Sequence, residues 1–200
     1  MSTYLWLTTV SRKEIMAEYG FYSGKINSSR GGAYRKAVRE VNKTFLRKKF
    51  HNDTYYKETD IVLRNLRRLS ETGANQYFSL KEFRCSCNGD LCSGYPGVLN
   101  AGLLKRLLAL REAIGHPVVI THEYGGGMRC QEENKKTPGS VLNSAHTKWR
   151  AVDVQIPGVT HTLEGRQRVM SIWKNLGGGY CYCNVNGSHP NMGDSVHLQV

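Results

Sequence analysis

The chain contains no long hydrophobic run: nothing in it approaches the roughly eighteen consecutive apolar residues of a membrane-spanning helix. Its first ten residues, Met1 to Val10, have no basic stretch ahead of their short, interrupted apolar run, and so make a poor secretory signal. Internal repeats and low-complexity tracts are absent. There are six cysteines, but no pair has the Cys-x-x-Cys spacing of a zinc knuckle. Acidic residues are in short supply, 16 against 28 Lys+Arg, for a net charge of +12. That surplus favours polyanionic partners, whether nucleic acid, anionic lipid or an anionic bacterial envelope, and it does not choose among them. A merely solvated basic surface is the bland alternative.

With 40% hydrophobic and 10% aromatic residues, the 200-residue chain has the composition of a folded protein and suits one large or two small domains. The charge is uneven. Residues 1–77 carry 15 basic and 7 acidic side chains, residues 78–200 carry 13 and 9. The first part is helical in pattern. One helix is expected from Arg12 to Tyr19, ending at Gly20. A second, from Ala33 to Phe50, puts Ala37, Val38, Val41 and Phe45 on one stripe and Arg35, Lys36, Arg39 and Lys43 outside it. A third, from Thr59 to Leu69, brings Ile61, Leu63 and Leu66 to the same small core. Three short basic helices are also compatible with a helix-turn-helix nucleic-acid module.

The polar, non-periodic stretch Ser70 to Gln76 marks a boundary, giving expected domains 1–75 and 76–200. Beyond it the pattern is mixed. Asn100 can cap a helix running to Ile114, with Leu103, Leu104, Leu107 and Leu110 on its buried stripe. Pro117 to Thr121 is a buried strand, and a long glycine-bearing loop spans 122–143. Arg150 to Ile156 alternates as a strand, with Val152, Val154 and Ile156 on one face and Ala151, Asp153 and Gln155 on the other. Thr162 to Leu176 is amphipathic, and Tyr180 to Cys183 and Val196 to Val200 are strand-like. The expected class is α+β: a small three-helix domain, then a mixed α/β domain with a small antiparallel sheet.

The segment from Ser144 to Asp153 draws the chemistry together. A carboxylate on a short strand, an imidazole (His146) from the turn before it, and a second imidazole (His197) on another strand are the ligand types of a three-ligand catalytic zinc site.

Two resemblances follow from these residues. Tyr19-Gly-Phe-Tyr-Ser-Gly-Lys-Ile-Asn27, Tyr34-x-x-Ala37-Val38-x-x-Val41-Asn42 and Asn52-Asp-x-Tyr-Tyr-x-x-Thr59 resemble the small helical peptidoglycan-binding domain. The departures are Asn27-Ser28 for Asp-Gly, Val41-Asn42 for Phe-Gln and Asp53-Thr54 for Asp-Gly. Gly127-Met-Arg129, Asn134, Gly139-Ser140, Ser144-Ala-His146, Ala151-Val-Asp153 and Val196-His197-Leu-Gln199 resemble, in order and spacing, the zinc D-alanyl-D-alanine carboxypeptidases and the L-alanyl-D-glutamate endopeptidases of phage endolysins. The resemblance implies one catalytic Zn²⁺ on His146, Asp153 and His197, and Arg129 near a substrate carboxylate or backbone oxygen. Ser144 would steady the site or touch substrate, an ordinary turn hydroxyl being the alternative. Asp194, three residues before His197, would be the general base. Because residues three apart on a strand face opposite ways, that role requires a turn at Met192-Gly193. Trp149 stands where the family has glycine, which could narrow or line the cleft.

The function implied is hydrolysis of an amide in the peptide stem of peptidoglycan, the L-Ala–D-Glu bond favoured over D-Ala–D-Ala. The enzyme would be a monomer made in a host cytoplasm and released to the wall by a holin. No nucleic-acid partner is expected, since nothing in 77–200 supports one. The competing reading is a non-catalytic wall-binding or virion structural protein that retains the peptidase fold. For the cysteines, disulfides, a second structural metal and buried thiols all stay open, with Cys181 and Cys183 able to meet the Cys85–Cys92 loop.

Overall fold

The computed structural model describes residues 4–87 and 92–200, so residues 1–3, and residues 88–91 between Cys87 and Cys92, lie outside the described residues. Three helices lead: α1 (Thr9–Glu18), α2 (Gly32–Phe45) and α3 (Lys57–Glu71). Thr8 opens α1 by accepting the Ser11 N–H at 3.1 Å, and all four residues of the expected α2 stripe are buried. α2 stops five residues short of the expected Phe50. Leu46 leaves the helix in an extended conformation to bury its side chain, which is 3% exposed, and Lys48–Phe50 continue as a 3-10 turn.

Two of the residues that depart from the peptidoglycan-binding pattern have local structural roles. Asn42, fully buried, donates to the carbonyls of Asn52 and Thr54 and accepts from Thr59 Oγ1 at 2.7 Å. Asn27 accepts from Lys13 Nζ at 2.7 Å and from the Ser29 N–H.

The rest of the chain is α+β, as expected. α4 (Ala101–Ile114) starts under Asn100, whose Oδ1 accepts the Leu103 N–H at 3.1 Å, and ends at Gly115 in the left-handed region. Its leucine stripe is wholly buried, each side chain stabilising the core by about 1.5–3 kcal/mol. α5 (Gln131–Lys136) falls inside the expected 122–143 loop, and α6 (Leu163–Asn175) packs on α4. Four short strands, β1 (Val119–Ile120), β2 (Ala151–Gln155), β3 (Cys181–Cys183) and β4 (Val196–Gln199), form an antiparallel sheet in the order β1-β2-β4-β3.

The alternation along these strands decides what each face does. Val152, Val154, Val196, Leu198, Cys181 and Cys183 turn to the core under α6. Asp153, His197 and Tyr182 therefore share the opposite face, and the register sets Asp153 across from His197 and His197 across from Tyr182.

The buried core runs without a break from the first three helices into the α/β part. Asn65 of α3 is fully buried. It donates to the Gly97 carbonyl at 2.9 Å and accepts the Leu99 N–H at 2.7 Å, tying the helical part to the segment that leads into α4.

Candidate metal centre

His146 arrives on a 3-10 turn, Ala145–Lys148, which Ser144 opens by accepting the His146 N–H at 3.3 Å. Asp153 sits mid-β2, and His197 faces it from β4. The loop before α5 closes over Asp153: the Asp153 N–H donates to the Gly126 carbonyl at 2.8 Å, and Thr121 bonds the Asp153 carbonyl. Glycine is required at 126 because a β-carbon there would collide with Thr121 Oγ1 and stand 2.9 Å from Asp153 Cβ.

One ligand atom from each of His146, Asp153 and His197 lies within 4.8 Å of the others, and all three residues are buried. Asp153 Oδ1 is 2.7 Å from His197 Nδ1 and 3.3 Å from His146 Nε2, and the two ring nitrogens are 3.2 Å apart. The outward nitrogens set the tautomers. His146 Nδ1 is 2.9 Å from the Gly127 carbonyl and His197 Nε2 is 3.2 Å from Gln199 Oε1, so each outward nitrogen acts as the N–H donor. Two imidazole lone pairs and a carboxylate oxygen are left facing one another with no donor between them. That arrangement calls for a cation. Nitrogen and oxygen ligands about 2.0–2.1 Å from a tetrahedral zinc stand roughly 3.3 Å apart, so the donor set and its spacing fit the ion.

Burial pushes the His146 imidazole below its ordinary value, against the pull of Asp153, and so favours the neutral form that metals bind. Burial alone would raise the Asp153 carboxyl; protonated rings at His146 and His197 would outweigh it and hold the group well below the usual carboxylate range, a role that passes to a cation when both rings are neutral. Arg129, itself buried, anchors the other carboxylate oxygen: it donates to Asp153 Oδ2 at 3.1 Å, to Ser140 Oγ at 2.8 Å and to the Gly125 carbonyl.

The cluster opens on a cavity of about 520 Å³, with Arg129, Ser144, Lys148 and Arg150 on its wall. Asp194 is not brought there. Gly193 does turn the chain (φ 49°) and β4 starts only at Val196, but the Asp194 carboxylate pairs with Arg166 at 3.1 Å on the exposed surface. Nor does Trp149, whose backbone is left-handed, line the cavity.

Tyr182 and His189, both on the cavity wall, went unnoticed in the sequence. The Tyr182 ring stacks on His197 with centroids 4.6 Å apart, and His189 lies 4.6 Å from Tyr182 in turn. The alternation of Tyr180 and Tyr182 with two core cysteines was the available signal for Tyr182; nothing local marks His189.

Among curated proteins and among solved structures, none matches the chain. The family model for peptidase M15 matches residues 76–186, a span that holds Arg129, Ser144, His146 and Asp153 and ends ahead of β4. The match covers more than half of the sequence, and the chain belongs to the peptidase M15 family.

Proposed function

We propose that this chain is a zinc-dependent peptidase that hydrolyses an amide bond in the peptide stem of bacterial peptidoglycan, with L-Ala–D-Glu the favoured bond and D-Ala–D-Ala the second. The observation that carries the reading is the convergence of His146 Nε2, His197 Nδ1 and an Asp153 oxygen on the wall of the cavity. Among the described residues, Asp153 is the one acidic side chain on that wall, against Arg129, Lys148 and Arg150. Such a wall suits an acidic stem peptide.

His146, Asp153 and His197 would hold the zinc, with Gly127, Arg129 and Gln199 fixing each ligand from behind. When bound, zinc supplies a Lewis acid that lowers the pKa of water toward about 7 and polarises a carbonyl. Arg129 commits three of its N–H groups to Gly125, Ser140 and Asp153. That leaves two of a guanidinium's five for a substrate carboxylate or carbonyl oxygen. The proton falls to Asp194. Its carboxylate follows the Gly193 turn and would swing away from Arg166, take a proton from the attacking water and pass it to the leaving amine.

Residues 1–75 would act as a wall-binding module. A hollow of about 350 Å³ bordered by Trp6, Arg12, Arg30 and Tyr55 supports that role, since an exposed indole suits a sugar face and guanidinium groups beside it suit the carboxylates of the attached stem peptides. On this reading the enzyme is a monomer, made in a host cytoplasm and delivered to the wall through holin-type release.

Mass spectrometry of muropeptides from digested sacculi tests the proposal and names the bond. The zinc-loaded protein should release new amino termini from a stem peptide. His146→Ala and Asp153→Ala should release none while still sedimenting with sacculi. Muropeptides unchanged in mass after treatment with the zinc-loaded protein, with no free D-alanine released, would leave only a wall-binding protein.

A further inference from the structure

Four of the six cysteines form a second cluster apart from the peptidase site. Cys85 and Cys87 follow the 3-10 turn Leu80–Phe83, Cys92 lies on the return of the same loop, and Cys130 is the residue before α5. The four sulfurs all lie within 4.8 Å of one another, and none is in a disulfide. They pack on each other rather than on the main core. Cys181 and Cys183 do not join them: both turn into the core under α6, where Cys181 Sγ faces the Met170 carbonyl.

The surroundings of the four sulfurs supply donors. Gly94 N–H points at Cys92 Sγ at 3.2 Å, Cys130 N–H at Cys85 Sγ at 3.4 Å, and Glu133 N–H at Cys130 Sγ at 3.4 Å. The Arg47 guanidinium reaches Cys87 Sγ at 3.5 Å and the carbonyls of Cys85, Cys87 and Cys92. In each of these contacts the sulfur accepts, as a thiolate does and a thiol does weakly. A fixed cation among them offsets negative charge at the cluster.

We propose that Cys85, Cys87, Cys92 and Cys130 bind a structural zinc ion as a tetrathiolate site, distinct from the peptidase metal. Soft thiolates in a closed tetrahedral set select zinc among the common divalent ions. Zinc–sulfur bonds of about 2.3 Å place the sulfurs roughly 3.8 Å apart, so binding draws the observed cluster inward by no more than about 1 Å. Four thiolates around Zn²⁺ carry a net charge of −2, which Arg47 and the three N–H donors stabilise.

The site joins three parts of the molecule. Arg47 belongs to the segment leaving α2, the Cys85–Cys92 loop precedes α4, and Cys130 is bonded to Arg129, which holds Asp153. The ion therefore fixes the backbone from which Arg129 reaches the peptidase centre, and it staples that backbone to the helical part of the chain.

The test uses the full chain with His146→Ala and Asp153→Ala, which empties the peptidase centre. Expressed with zinc, this protein should retain one zinc per chain. X-ray absorption should show four sulfur neighbours at about 2.3 Å, and cobalt substitution should give the intense visible and near-ultraviolet bands of a tetrahedral thiolate complex. Cys87→Ser or Cys130→Ser added to it should abolish the bound zinc. Should those variants not fold, the absorption spectrum of the cysteine-intact protein still decides. No zinc in that protein, iron in its place, or an intact mass showing the four cysteines joined as disulfides would each overturn the assignment. None of these results depends on peptidase activity, so the proposed function stands or falls separately.

Discussion

Trp149 holds a left-handed backbone, φ 56° and ψ 35°, and lays its indole so close over Gly97 that a β-carbon on Gly97 would collide with the ring. The family glycine position is thus occupied by a side chain that accepts a strained backbone, costing roughly 1–2 kcal/mol, in return for packing where the chain enters α4. The same turn carries His146 three residues earlier, and the Trp149 carbonyl accepts the Asn100 N–H. Gly97→Ala should cost about 1–3 kcal/mol by overpacking. In a Trp149→Gly background, where the space is open, it should cost less than half as much. Urea unfolding of the two single variants and the double variant measures the coupling; additive costs would mean the indole and Gly97 do not meet in solution.

The general-base role proposed for Asp194 can be weighed against His189. His189 already lines the cavity, whereas Asp194 is held outside it by Arg166. If the Asp194 carboxylate swings in during turnover, Asp194→Asn should lower kcat about 10²–10⁴-fold and flatten the acidic limb of the pH–rate profile. His189→Ala would then change chiefly KM. The opposite pattern, a kcat collapse in His189→Ala with Asp194→Asn nearly unaffected, assigns the proton to the imidazole.

What was legible in the sequence was whatever a local pattern controls. The leucine stripe of α4 and its Asn100 cap, and the two-residue alternation that separates Asp153 from Val152 and Val154, follow from spacing alone, and the structure has them. Distant partners decided the rest. α2 ends at Phe45 because Leu46 is drawn into the core and Arg47 to the cysteine loop. α5 has no apolar stripe, and its cap is a cysteine sulfur rather than Ser, Thr, Asp or Asn, so no start signal marked it. Asp194 meets an arginine 28 residues earlier, and Cys130 meets a loop 38 to 45 residues away in sequence. No pattern confined to one segment encodes such pairs.

The first three helices carry their own acid sensitivity at Asp60. This carboxylate is fully buried and accepts from the Leu7 N–H, the Tyr4 and Tyr55 hydroxyls and Arg64 Nε, at 2.7 to 2.9 Å. Burial alone would raise it, but Arg64 and the two tyrosines outweigh burial and hold it below its ordinary value. A carboxylate lowered on folding contributes stability that is complete above its unfolded value, about 3.9, and is lost as pH falls through the lower folded value. Asp60→Asn should therefore destabilise the protein by about 1.5–3 kcal/mol near neutrality, with the gap to wild type closing below about pH 4. Urea midpoints from pH 3 to 7 check it; a gap that is constant with pH would show that the charge on Asp60 is not what Arg64 and the tyrosines stabilise.

Variants of Arg129 separate the two roles proposed for it, substrate binding and metal positioning. Its side chain and that of Asp153 are 8% and 9% exposed, and the same guanidinium also spans Ser140 and Gly125. Removing one member of so buried a pair typically costs about 3–5 kcal/mol, and the loss of a partner behind a metal ligand typically weakens the metal about 10–100-fold. Arg129→Ala should show both effects. Arg129→Lys keeps the charge but not the planar fork, so it should recover part of the stability while zinc still binds more weakly than in wild type. Zinc competition titrations beside denaturant melts distinguish the roles. Wild-type zinc affinity in Arg129→Ala, with only KM raised, would make Arg129 a substrate contact and leave Asp153 held by its histidines alone.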